Sequence, residues 1–119
     1  MRMRYMILIH RAPDFWTKLG KDGSAELRSA YMAYADAATK AGVLVAADQL
    51  QPATAAKIVS ETAILDGPYA DTDSKEELGG YFLIEVPGEA DAIAWAQCCP
   101  GAHYGRDGRG VEVRPVVQQ

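Results

Sequence analysis

Asp66-Gly67-Pro68-Tyr69 and, after a short polar run, Gly79-Gly80-Tyr81-Phe82-Leu83-Ile84-Glu85-Val86 decide the fold of this chain. Asp-Gly-Pro is turn chemistry, because glycine takes positive φ and proline fixes its own φ and removes a donor. Apolar strands flank the turn, over residues 62–65 before it and 81–86 after it. The later strand sets Tyr81, Leu83 and Glu85 against Phe82, Ile84 and Val86, so both of its faces are mostly apolar. Residues 5–10 read the same way, with Tyr5, Ile7 and Ile9 on one face and Met6, Leu8 and His10 on the other. A strand apolar on both faces belongs in the middle of a sheet, covered on both sides.

Working outward, residues 11–23 read as a loop in which Phe15 and Trp16 are bulky. They either cap the core or a subunit interface, the favoured role, or form a lid over a pocket. Residues 24–41 read as a helix with Ser24 as N-cap, Glu26 in its first turn and Gly42 just past its end. Its apolar stripe is Leu27, Ala30, Tyr31, Tyr34, Ala38 and Ala41. The tyrosines suit the core better than a site, and their hydroxyls need partners, which leaves room for one to edge a pocket.

Residues 43–50 form the next strand, in which Asp48 shares a face with Leu44 and Ala46. A carboxylate there must be exposed, paired or raised in pKa. Gln51-Pro52-Ala53 is a turn, and residues 54–59 and 62–65 make a hairpin around Ser60-Glu61. Residues 70–78 are an acidic, solvated loop, and Gly79-Gly80 allows a close backbone approach or a bulge. Pro87-Gly88 breaks the following strand. A helix over 89–99 then carries Ala92, Ile93, Ala96 and Cys99 as apolar positions and is stopped by Pro100. Residues 101–110 read as a loop with His103, Arg106 and Arg109, and 111–116 as a last strand whose Pro115 suits an edge.

The order is strand, helix, strand, hairpin, strand, helix, strand. That is the ferredoxin-like plan of the α+β class, an antiparallel sheet with both helices on one face. Two helices cover one face of such a sheet, while its central strands are apolar on two. A second copy packed sheet to sheet about a two-fold axis is the simplest cover, which gives a dimeric α+β barrel.

A chain of 119 residues, 49% hydrophobic and 24% charged, fits one ordinary globular domain. Its net charge of -4 argues against a general nucleic-acid binder. No apolar run approaches a membrane span, and the opening Met1–Ile9 stretch is too short for a signal peptide, so a cytoplasmic protein is expected. The adjacent Cys98 and Cys99 have neither zinc-site nor redox spacing and read as reduced thiols at a helix end. Gly105-x-x-Gly108-x-Gly110 follows no strand and opens no helix, so it is no nucleotide fingerprint.

Several of these runs, in this order, resemble the YCII-related, or DGPF-domain, family. They are Tyr5-Met6-Ile7-Leu8-Ile9, Ala41-Gly42-Val43-Leu44 before Leu50-Gln51-Pro52, Asp66-Gly67-Pro68-Tyr69-Ala70-Asp71-Thr72, Leu78-Gly79-Gly80-Tyr81 and Val111-Glu112-Val113-Arg114-Pro115-Val116. The resemblance spans essentially the whole chain. It implies a dimeric ferredoxin-like barrel related in fold to muconolactone isomerases and small cofactor-free monooxygenases. It also implies frequent genetic linkage to extracytoplasmic-function sigma factors, and a pocket His–Asp pair proposed as catalytic in the wider family. Here His10 and Asp48 are the nearest candidates for that pair. The family's usual run is close to Asp-Gly-Pro-Phe-Ala-Glu-Thr-Lys-Glu. This chain has Tyr69 and Asp71 in place of Phe and Glu, with Asp73-Ser74 inserted before Lys75-Glu76.

Three functional readings follow. The first is a cofactor-free enzyme acting on a small molecule, with His10 and Asp48 as the acid–base pair and Asp66, Tyr81, His103 and Arg114 as substrate contacts. A histidine oriented by a carboxylate takes and returns a proton near neutral pH. The second is a ligand-binding or regulatory module without chemistry, its partner a small molecule or a sigma factor. The third assigns every conspicuous residue to the fold. The sequence offers no Ser-His-Asp order, no cysteine nucleophile beside a base, no metal-ligand cluster and no cofactor fingerprint.

Overall fold

The computed structural model describes residues 1–67, 77–104 and 110–118. The elements are β1 (Met3–Arg11), α1 (Phe15–Lys40), β2 (Leu44–Gln49), a 3-10 turn (Ala53–Ala55), β3 (Lys57–Val59), β4 (Ile64–Asp66), β5 (Glu77–Val86), α2 (Glu89–Cys98), α3 (Gly101–Tyr104) and β6 (Glu112–Pro115). Four strands form one antiparallel sheet in the order β2-β5-β1-β6, and β3 and β4 form a separate two-stranded hairpin. The two strands that are apolar on both faces, β1 and β5, are the central pair, and β6 with Pro115 is an edge. The protein is α+β, with the antiparallel sheet and helices that the sequence led us to expect.

Pleating sorts the sheet's side chains. Tyr5, Ile7 and Ile9 of β1 and Phe82, Ile84 and Val86 of β5 are buried on one face. They pack with Tyr34 and Ala38 of α1, Ala92 and Ala96 of α2, and Cys99, so both helices cover that face. The two alanines of α2 have no bulk to hold the helix off the sheet. Each fully buried aliphatic side chain, such as Ile7 or Ile84, contributes about 1.5–3 kcal/mol. The opposite face carries Met6, Leu8 and Leu83, only half-buried, and among the described residues no helix covers it.

Several boundaries differ from those read in the sequence. Residues 15–23, expected to be loop, are helical, so Ser24 is a buried residue inside α1 and not its N-cap. Gly20, at φ 79, interrupts the helix and lets Phe15 and Trp16 fold back toward the end of β1. Ala30 and Ala41 lie outside the buried stripe, and Ile93 of α2 is exposed. β5 begins at Glu77, four residues earlier than expected, and its pairing with β1 slips between Ile9 and His10 beside Gly79. Gly80 eases the close approach of β2 there, because a Cβ would crowd the Asp48 carbonyl oxygen at 3.0 Å. His103, expected in a loop, sits on α3 and is exposed. The second half of the Asp66–Tyr69 turn, most of the acidic 70–78 loop, and Arg106 and Arg109 lie outside the described residues.

Candidate small-molecule site

The helix-covered face ends in a charge. The alternation that buries Tyr5, Ile7 and Ile9 also buries Arg11, the last residue of β1, to 6% exposure. Removing a guanidinium from water is costly unless its donors are met. Its Nη2 donates to the Tyr31 hydroxyl at 3.0 Å. The rings of Phe15, Trp16 and Tyr31 stand 5.2, 4.8 and 5.3 Å from its central carbon, within cation–π range. Nη1 is buried and, among the described residues, has no hydrogen-bond partner. Among the described residues no carboxylate pairs with Arg11, although Glu77 is its register neighbour on β5.

Arg11 lines a cavity of about 320 Å³ between α1 and the sheet. Its walls are mostly apolar, from Ile9, Met32, Ala35, Ala47 and Phe82, with Tyr31, Arg28 and Gln49 as further polar contributors. The volume falls within the range of small-molecule pockets. Arg28 also stands 5.1 Å from the Trp16 ring, so Trp16 is shared between the two cations. Gly101 completes the corner: a Cβ there would come within 2.8 Å of the Tyr31 hydroxyl oxygen.

The two tyrosines of α1 divide the roles the sequence left open. Tyr34 is core, edge-on to Phe82 and Trp95, with its hydroxyl donating to the Trp95 carbonyl at 2.6 Å. Tyr31 edges the cavity and stacks on Phe82. Burial raises the pKa of both, and for Tyr31 the charge and hydrogen bond of Arg11 pull the other way. Burial likewise raises the Cys99 thiol. The folded state therefore holds these protons longer than the unfolded chain, and that stability is complete below the ordinary values of 9.0 for the thiol and 10.0 for tyrosine. It is lost as pH rises past them, since the unfolded chain then binds fewer protons. The expected urea midpoint is flat to about pH 9 and falls above it. A spectrophotometric titration in which every tyrosine of the folded protein ionised at its ordinary value would contradict this.

The residues singled out from the sequence lie elsewhere. His10, Asp48, Tyr81 and Arg114 project from the uncovered face, by the pleat that puts Arg11 on the other. His10 and Asp48 are not brought together, because β5 runs between β1 and β2. His10 Nε2 meets Glu112 Oε1 at 3.1 Å, and Arg114 also pairs with Glu112. The Arg114 contact first, and His10 after it, hold the Glu112 carboxyl below its ordinary pKa. Asp48 accepts the Tyr81 hydroxyl at 3.1 Å, which raises the Tyr81 pKa. Asp48 and Tyr81 border the cavity, but their side chains stand on the far side of the sheet. Asp66 pairs with Lys57 across the hairpin at 2.6 Å, and neither it nor His103 is among the cavity residues. The sequence signal for Arg11 was present but unused: the period-2 alternation of β1 runs one residue past His10.

The family model for the YCII-related domain matches residues 3–118, nearly the entire chain. The chain belongs to the YCII-related domain family. No curated protein matches its sequence. Among the described residues of this YCII-related domain, no helix is long and apolar enough to cross a membrane. Nor does any group of three or more His, Cys, Asp or Glu side chains converge there as a metal site would require.

Proposed function

We propose that this YCII-related domain binds a small organic molecule in the cavity between α1 and the sheet. The observation that carries the reading is the cavity itself, apolar on its walls and edged by Arg11 and Tyr31. A few fixed polar groups in an apolar pocket are what small-molecule recognition requires. The working unit in this proposal is a homodimer of ferredoxin-like chains, with the two uncovered sheet faces closed on each other as an α+β barrel. Support comes from the makeup of that face. Met6, Leu8 and Leu83 form an apolar centre, and Arg4–Glu85, His10–Glu112 and Tyr81–Asp48 lie around it. An apolar centre within a polar rim is ordinary interface anatomy.

A second reading places cofactor-free acid–base chemistry on the opposite face of the sheet, inside the proposed dimeric barrel and apart from the cavity beneath α1, and the contact between His10 and Glu112 favours it. In that reading Glu112, not Asp48, is the carboxylate that orients the imidazole. An imidazole so held takes and returns a proton near neutral pH.

Native mass spectrometry tests both readings, on gently purified protein and after incubation with small apolar compounds. The expected species is a dimer carrying one small molecule per chain. Ala35→Trp, which fills the cavity from α1, is expected to abolish uptake while leaving the dimer. A chain that takes up nothing, or an Ala35→Trp variant that binds as well as the parent, contradicts the binding reading. A molecule released with altered mass supports the catalytic one, and His10→Ala should then abolish the alteration while uptake persists.

A further inference from the structure

We infer that the molecule held in this cavity is a small apolar organic acid, its acid group received by Arg11; the inference rests on the cavity reading above. The first ground is the incomplete solvation of a fixed charge. A guanidinium keeps its proton throughout the physiological range, and its five N–H groups lie in one plane. Stacked rings attract the cation through the π face of each ring, and they do not replace in-plane acceptors. One acceptor, the Tyr31 hydroxyl, meets Nη2, while Nη1 is buried and unmet among the described residues. The ligand that satisfies such an edge is an anionic oxygen, because a charge-assisted hydrogen bond is about twice as strong as a neutral one.

The second ground is the charge of the lining. Arg11 and Arg28 both border the cavity, and among the described residues the only acidic one bordering it is Asp48. That carboxylate faces the other side of the sheet, where it accepts the Tyr81 hydroxyl. The polar end of the cavity is therefore positive. The third ground is the remaining wall: Ile9, Met32, Ala35, Ala47 and Phe82 suit a hydrocarbon or aromatic body, with the Gln49 amide as a neutral polar neighbour at the end of β2. Tyr31, stacked on Phe82 and hydrogen-bonded to Arg11, fixes the guanidinium relative to that body.

The direct test compares an acid with its neutral isostere. Wild-type protein is titrated by isothermal calorimetry with 2-naphthoate and with 2-naphthamide, and each titration is repeated with Ala35→Trp. The expected result is that the acid binds at least tenfold more tightly than the amide, as one extra charge-assisted hydrogen bond would give. Arg11→Gln should reduce the preference to about twofold or less, and Ala35→Trp should weaken both ligands. Equal affinity of acid and amide for the wild-type protein overturns the acid assignment and leaves the cavity reading standing. If neither compound binds, or if Ala35→Trp binds both as the wild type does, the cavity reading fails and this inference fails with it. The comparison on wild-type protein decides the matter even if Arg11→Gln does not fold.

Discussion

Replacing Ile84 by alanine is expected to lower the unfolding free energy by about 2–5 kcal/mol. Ile84 is fully buried near the C-terminal end of β5, between Tyr5 on β1 and Leu44 on β2. The substitution removes buried methyl and methylene groups and leaves a void that the packed sheet and helices fill only in part. A domain whose whole stability is about 5–15 kcal/mol loses a large part of it. Ile64 on the exposed face of the hairpin is the control, because it is 72% exposed, and Ile64→Ala should stay within about 0.5 kcal/mol of the parent. Urea unfolding at one fixed protein concentration gives both numbers; the concentration is held because dimerisation would shift the midpoint. A loss under about 1 kcal/mol for Ile84→Ala would mean that the packed face between sheet and helices is not the core.

The second large effect concerns assembly. In the proposed paired-sheet dimer, Leu8→Lys places a lysine at the apolar centre of the interface in both chains. An unpaired charge buried at an interface costs several kcal/mol, so dissociation should rise a hundredfold or more. Leu8 is only half-buried in the single chain, so the folded monomer should accept the lysine at its surface. Sedimentation velocity at micromolar protein is expected to give a dimer for the parent and a folded monomer for Leu8→Lys. Ile93→Lys, on the exposed side of α2, should remain dimeric. A Leu8→Lys protein that sediments as the parent does would show that this face is not where two copies meet.

The sheet was the most legible part of the chain, because β1 and β5 announce themselves by being apolar on both faces. The helix start was less so. Gly20, Lys21, Asp22 and Gly23 read as loop, yet the chain is helical on both sides of Gly20. What propensity missed is tertiary: Phe15 and Trp16 pack on Arg11, and that contact needs the first turns of α1 to be formed. Within the site, Tyr31 could be anticipated as a stripe residue with a hydroxyl in need of a partner. Arg11 reads as the first residue of a loop, although the alternation of β1 already places it with Ile7 and Ile9. The pairing of His10 with Asp48 rests on the family resemblance and on their positions near strand ends. Alternation gives each residue its face but not its neighbour across the sheet, and the order β2-β5-β1 sets a whole strand between them.

The central claim is that small molecules bind beneath α1, on the Arg11 side of the sheet. Two-dimensional NMR of isotope-labelled protein titrated with 2-naphthoate tests it most directly. The account predicts shifts concentrated at Ile9, Arg11, Ala35, Ala47 and Phe82, with Met6, Leu8 and Leu83 unmoved. Shifts concentrated instead at Met6, Leu8, His10 and Leu83 would place the ligand on the opposite face of the sheet and contradict the account.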